Sequence, residues 1–158
     1  MKFTFTYADN DELTLLLKPT DKLVGILTGS NSVYHLESGY FHEHLNIVID
    51  KSCSGYNFWL LSVLLFTYLA LKHFDRTLQK IIAITTALIF AYMLTIFSTT
   101  SRIFTSIVIQ RFTKNIFGNH QNILHEAIGI VTNLTFLILT YILIEKLLIY
   151  QKYNEKFA

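Results

Sequence analysis

The stretch IIAITTALIFAYMLTIF, residues 81–97, decides the fold. It carries no charge and sits near the short end of the ~17–25 residues that cross a bilayer as helix. Two further stretches read the same way: YNFWLLSVLLFTYLAL at 56–71 and IGIVTNLTFLILTYILI at 128–144, again without a charge. A large soluble protein can bury one such helix, but a chain of 158 residues has too little else to cover all of them. The expectation is an α-helical integral membrane protein, one domain over 1–158, with spans at 56–72, 81–97 and 128–145.

Composition agrees. Hydrophobic residues make up 52% and charged residues 15%, against roughly a quarter charged in an ordinary soluble domain. That excludes a disordered chain and argues against an all-soluble globule. A net charge of +2 is too small to argue for a nucleic-acid partner. The lone cysteine excludes an intramolecular disulfide, a CxxC redox pair and a cysteine-rich zinc site. Orientation follows from the basic residues. Lys72, Arg76 and Lys80 crowd the short loop after the first span, and Lys146, Lys152 and Lys156 follow the third, which places both segments in the cytoplasm. Arg102, Arg111 and Lys114, with Lys2, Lys18, Lys22 and Lys51, dilute the signal from the other side, and density decides it. Residues 1–55 are then extracytoplasmic. No charged n-region followed by an apolar core opens the chain. Either the first span drags this tail across, or a membrane helix precedes it in a longer protein.

Residues 11–28 read as a helix with Leu13, Leu16, Leu17, Leu23, Ile26 and Leu27 on one face. Pro19 either breaks it or starts its second part, and Gly29 supplies a stop. The stripe suits the membrane interface or packing on the other helices. Residues 33–50 read as an extracytoplasmic hairpin, Val33 to Leu36 against Tyr40 to Ile49, turned at Glu37-Ser38-Gly39. Residues 103–118 are amphipathic, with Phe104, Ile107, Val108, Phe112 and Ile116 on one face; this predicts an interfacial or re-entrant helix, since a full crossing puts Gln110 and Arg111 in mid-membrane.

The polar residues at the span ends carry the functional question. Cys53 lies in KSCSGYN at the outer mouth of the first span, among small polar neighbours and at a helix start whose dipole favours a thiolate. The plain alternative is a small buried hydrophobe. Arg102, in STTSR, is either a headgroup anchor or a guanidinium aimed at a carbonyl oxygen or carboxylate. His125, in HEAIG, is either an interfacial helix-start residue or a general acid–base. Gly129 stands where a zinc-protease HExxH motif needs its second histidine. His42 and His44 share a face if both lie on one strand, and His35 is near, but a solvated strand face explains them as well as a metal does. Cys53, Arg102 and His125 fall at three span ends on one side, and thiol, cation and imidazole are the parts of a cysteine acyl-transfer site.

KSCSGYNF at 51–58, SRI at 101–103 and HEAIG at 125–129, in that order and spacing, resemble the exosortase/archaeosortase family of membrane-embedded cysteine transpeptidases, and its short exosortase K-like subgroup in particular. The upstream LLLKPTDKLVGILTGSNSVY and the GYF after it resemble that subgroup's extracytoplasmic lead-in, so the resemblance covers roughly residues 9–145. It implies Cys53 as nucleophile, with Arg102 and His125 as its catalytic partners. It also implies a thioester intermediate, no metal or organic cofactor, and exported protein substrates carrying a C-terminal sorting signal. The setting is the cell's inner (cytoplasmic) membrane, with the active site on its extracytoplasmic side. Thr99 replaces the family's asparagine before the arginine, and MKFTFTYADND stands where family members have a membrane helix. Three other readings stay open: a truncated or degenerate exosortase; a non-catalytic membrane scaffold subunit packing through Thr85, Thr86 and Thr95; and a metal-dependent protease built on His42, His44 and His125.

Overall fold

The computed structural model describes residues 13–36, 38–74, 76–113 and 121–155, with side chains undescribed at 110–113, 121–126, 148 and 151–155. Its elements are α1 (Thr14–Thr28), β1 (Ser32–His35), β2 (Gly39–His42), β3 (Ile47–Ile49), α2 (Tyr56–His73), α3 (Thr77–Thr113) and α4 (Gln121–Glu155). Three helices are long and apolar enough to cross a membrane, with spanning windows Lys51–His73, Thr77–Ile109 and Ala127–Leu147.

α3 is a single helix of 37 residues, about 55 Å long at 1.5 Å per residue. Nothing between Thr77 and Thr113 breaks it, since the segment holds neither proline nor glycine. The separate interfacial helix expected from 103 onward is therefore not separate: residues 103–113 continue the second span, and residues 114–118 lie outside the described residues. α2 and α4 run antiparallel to α3. Phe66 meets Phe90 with ring centroids 5.4 Å apart, and Phe97 meets Phe136 edge-on at 5.5 Å. Ser98 Oγ donates to Asn133 Oδ1 at 3.0 Å inside the bundle. Lys72 and Glu145 pair at 3.4 Å at the far end. Only 6% of the α4 spanning window is buried, so most of its surface faces outward. Thr85 and Thr86 donate their hydroxyls to Ile81 O and Ile82 O of their own helix, and Thr95 donates to Ala91 O. None of these hydroxyls bridges helices.

α1 runs unbroken through Pro19. A proline inside a helix removes one N–H and orphans the carbonyl one turn back, here that of Leu15. Tyr92 Oη, from the middle of α3, donates to Leu15 O at 2.9 Å and fills the gap. The buried face of α1 is Leu16, Leu17, Thr20, Asp21 and Val24. Leu23, Ile26 and Leu27, expected on the same face as Leu16 and Leu17, are exposed. The buried face centres on Leu17, Thr20 and Val24, so Ile26 lies roughly opposite it and Leu23 and Leu27 fall at its edge.

The expected hairpin is a three-stranded antiparallel sheet, ordered β1-β2-β3. Tyr40 to Ile49 is not one strand. A 3-10 turn at Glu43–Leu45 and Asn46 in the left-handed region (φ 51°) reverse the chain so that Tyr40 pairs with Ile49. Leu13, Leu17, Val24, Ile49, Cys53, Ile103 and Ile107 form one core cluster that seats α1 and the sheet on α3.

Tyr92→Phe is expected to cost about 1 kcal/mol, the usual net value of one hydrogen bond. In a Pro19→Ala background, where a backbone N–H returns to position 19 and serves the Leu15 carbonyl, the same change costs markedly less. Denaturant unfolding in detergent micelles, run as a double-mutant cycle, reads the difference.

Candidate functional site

Cys53 closes a short 3-10 turn, Lys51–Cys53. Asp50 caps it: Oδ1 accepts from the Ser52 backbone N–H at 3.0 Å and from the Ser52 hydroxyl. The Ser54 hydroxyl then accepts the Tyr56 N–H at 3.3 Å as α2 begins. Between them Gly55 takes a left-handed conformation, φ 67°. A Cβ there would collide with Thr99 Oγ1 and stand 3.1 Å from Thr95 Cγ2. The C-S-G backbone thus lies directly against the Thr95–Thr99 face of α3. Thr99 is fully buried and fills the position where the family resemblance calls for asparagine.

Arg102 lies nearly one turn beyond Thr99. Its Nη2 donates to Ser52 O at 3.4 Å, the carbonyl immediately before Cys53. Its Nε is buried without a hydrogen-bond partner among the described residues. On its other side Gly129 of α4 leaves room for it: a Cβ at 129 would sit 3.1 Å from Arg102 Cδ. Arg102 therefore lies between the Cys53 turn and α4. His125 is one helical turn before Gly129 on α4; its side chain lies outside the described residues.

The structure departs from sequence expectation at the thiol. Cys53 is 7% exposed and packs in the apolar cluster of Leu17, Val24, Ile49, Ile103 and Ile107. Its Sγ is 3.8 Å from Ser52 Oγ. Polar neighbours in sequence did not make a polar pocket, because α1 and the sheet fold over the turn. The paired histidines also separate. His42 on β2 is 0% exposed, whereas His44 is exposed in the 3-10 turn and His35 is exposed on β1. The shared strand face assumed for His42 and His44 does not exist, nor is His42 on a solvated face. No group of three metal-ligating side chains forms among the described residues.

Sequence reading missed three parts of this region: the spacer role of Gly55, that of Gly129, and a buried polar cluster around His42. The cluster had a signal. Asp21 falls on the apolar stripe of α1 between Leu17 and Val24, and a carboxylate there needs a buried partner. No family model, curated protein or solved structure matches the chain.

Gly55→Ala is expected to destabilise the protein by at least about 1 kcal/mol from its left-handed backbone alone, with the Thr99 collision added. Adding Thr99→Ala removes the Thr99 part of the steric cost and leaves the backbone part with the Thr95 contact. Thermal unfolding of the two variants in detergent separates the contributions.

Proposed function

We propose that the protein is a membrane-embedded cysteine transpeptidase or peptidase that cleaves C-terminal sorting signals of exported proteins, working at the extracytoplasmic face of the cytoplasmic membrane. The observation that carries this reading is the position of Arg102, held between the Cys53 turn and the Gly129 turn of α4 with Nη2 on the Ser52 carbonyl. A guanidinium beside the backbone of a thiol supports reading Arg102 as the donor to a developing oxyanion.

In the proposed reaction the Cys53 thiolate attacks the scissile carbonyl. The S–C bond forms as the carbonyl π pair moves to oxygen, and Arg102 holds that charge. His125 takes the thiol proton and returns it to the leaving amine as the C–N bond breaks. An amine or water then resolves the thioester. Because Cys53 is buried in its apolar cluster, the proposed reaction needs the cluster to open before substrate reaches Sγ.

The burial of Cys53 favours a second reading, a non-catalytic membrane subunit in which the thiol is a small core residue. Mutant processing in the host separates the two. Mass spectrometry of C-termini among exported proteins is expected to show Cys53→Ala abolishing cleavage with membrane insertion intact. Arg102→Ala lowers it about 100- to 1,000-fold, the range for loss of one oxyanion donor, and Arg102→Lys recovers little because an ammonium lacks the fork. Unchanged C-termini in the Cys53→Ala strain overturn the enzymatic reading in favour of the subunit.

A further inference from the structure

A second polar constellation lies outside the Cys53 region, where α1 meets the sheet. His42 Nε2 is 2.9 Å from Asp21 Oδ1, and His42 Nδ1 is 2.8 Å from Ser30 Oγ. Ser32 Oγ donates to the second oxygen of Asp21 at 2.9 Å. Thr28 Oγ1 lies 2.7 Å from Ser30 Oγ. His42, Asp21 and Ser30 are all buried, yet each lines an open cleft of about 610 Å³. Burial and the Asp21 carboxylate together push the Tyr40 phenol above its ordinary pKa, so the field of that carboxylate reaches β2.

Thr28 Oγ1 donates to Val24 O at 2.7 Å, so the one proton of Ser30 Oγ is shared between two acceptors, Thr28 Oγ1 and His42 Nδ1. The tautomer that attack by Ser30 needs carries its proton on Nε2, where Asp21 accepts it, and leaves Nδ1 bare for the Ser30 hydroxyl. A carboxylate fixing the tautomer of a histidine whose other nitrogen faces a hydroxyl is the arrangement that activates a serine nucleophile. The surroundings indicate the substrate. Ile26 lines the cleft and belongs to the exposed apolar face of α1 with Leu23 and Leu27. α1 itself packs on α3, a helix apolar enough to span a membrane. Lys22 at the rim suits an anionic head group.

We propose that Ser30, His42 and Asp21 form a serine esterase site, separate from Cys53, that acts on carboxylic esters of bilayer lipids. Ser30 Oγ attacks the ester carbonyl while its proton passes to His42 Nδ1. The tetrahedral adduct collapses, the C–O bond to the alcohol breaks, and the departing alkoxide takes the proton from Nδ1. Water repeats the sequence on the acyl-serine, giving its proton to His42, and the carboxylic acid leaves as Ser30 regains a proton. Asn31, next in the chain, lines the same cleft. Asp21 acts as a positioning residue through His42.

The test uses the full chain in detergent micelles, in a Cys53→Ala background so that the thiol contributes nothing. A biotinylated fluorophosphonate is the probe, and mass spectrometry locates the adduct. The expected result is a single adduct on Ser30, absent from Ser30→Ala. His42→Gln and Asp21→Asn are expected to form it at least about 100-fold more slowly, the lower range of general-base catalysis. If those variants do not fold, the pH dependence of labelling in the parent protein decides. The rate must fall as acid conditions protonate an imidazole. A folded parent protein that takes no probe on Ser30, or takes it at a pH-independent rate, overturns the proposal and leaves the cluster as a clasp between α1 and β2.

Discussion

The close approach of two backbones at Gly55 and the Thr95–Thr99 face of α3 is the constraint on which the rest of this molecule depends. Only a residue without a Cβ fits there, since a methyl would meet Thr99 Oγ1. The approach brings the turn carrying Cys53 onto α3, and Arg102, nearly one turn further on, falls beside the Ser52 carbonyl as a consequence. The same economy repeats at Gly129, where a missing Cβ lets α4 accept the Arg102 side chain. Two glycines therefore position one guanidinium of α3 between two other chain segments. The arginine does not hold them together, because its one hydrogen bond to the Cys53 turn is long at 3.4 Å and the hydrogen-bond energy falls with that stretch.

The cap above the bundle has a different logic. α1 and the sheet carry a core of their own side chains, Leu13, Leu17, Val24 and Ile49, and press it onto Ile103 and Ile107 of α3. The extension of α3 beyond the expected span end is what supplies that platform. A helix that stopped near residue 97 would leave the cap with nothing apolar to sit on. The continuity of α3 and the burial of Cys53 are thus two sides of one arrangement.

Much of this was legible in the chain. The three long apolar helices announce themselves as charge-free runs of membrane-crossing length, and α2 begins at Tyr56 as the hydropathy indicates. Of the three polar span ends, Arg102 does meet the Cys53 turn, and the side chain of His125 lies outside the described residues. What failed was reading across elements. The face of α1 was misassigned because Leu23, Ile26 and Leu27 look as apolar as Leu17, and only the sheet decides which face is covered. His42 and His44 looked like partners because a strand was carried through Glu43–Leu45, where Asn46 turns the chain instead. The role of Pro19 was beyond sequence, since the hydroxyl that repairs its lost bond comes from Tyr92 in another helix.

The unequal lengths of α2 and α3 carry a consequence for the surrounding lipid. α2 has 18 residues, about 27 Å of helix, close to the ~30 Å of a bilayer's hydrocarbon core. α3 is far longer and can tilt or protrude to suit membranes of different thickness. α2 has no such slack, and Asp50 and Lys51 stand just ahead of it. If the three apolar helices cross a bilayer, a thicker one draws those charges toward hydrocarbon or thins around them. The depth of the Cys53 turn then follows bilayer thickness through α2, the shortest of the three.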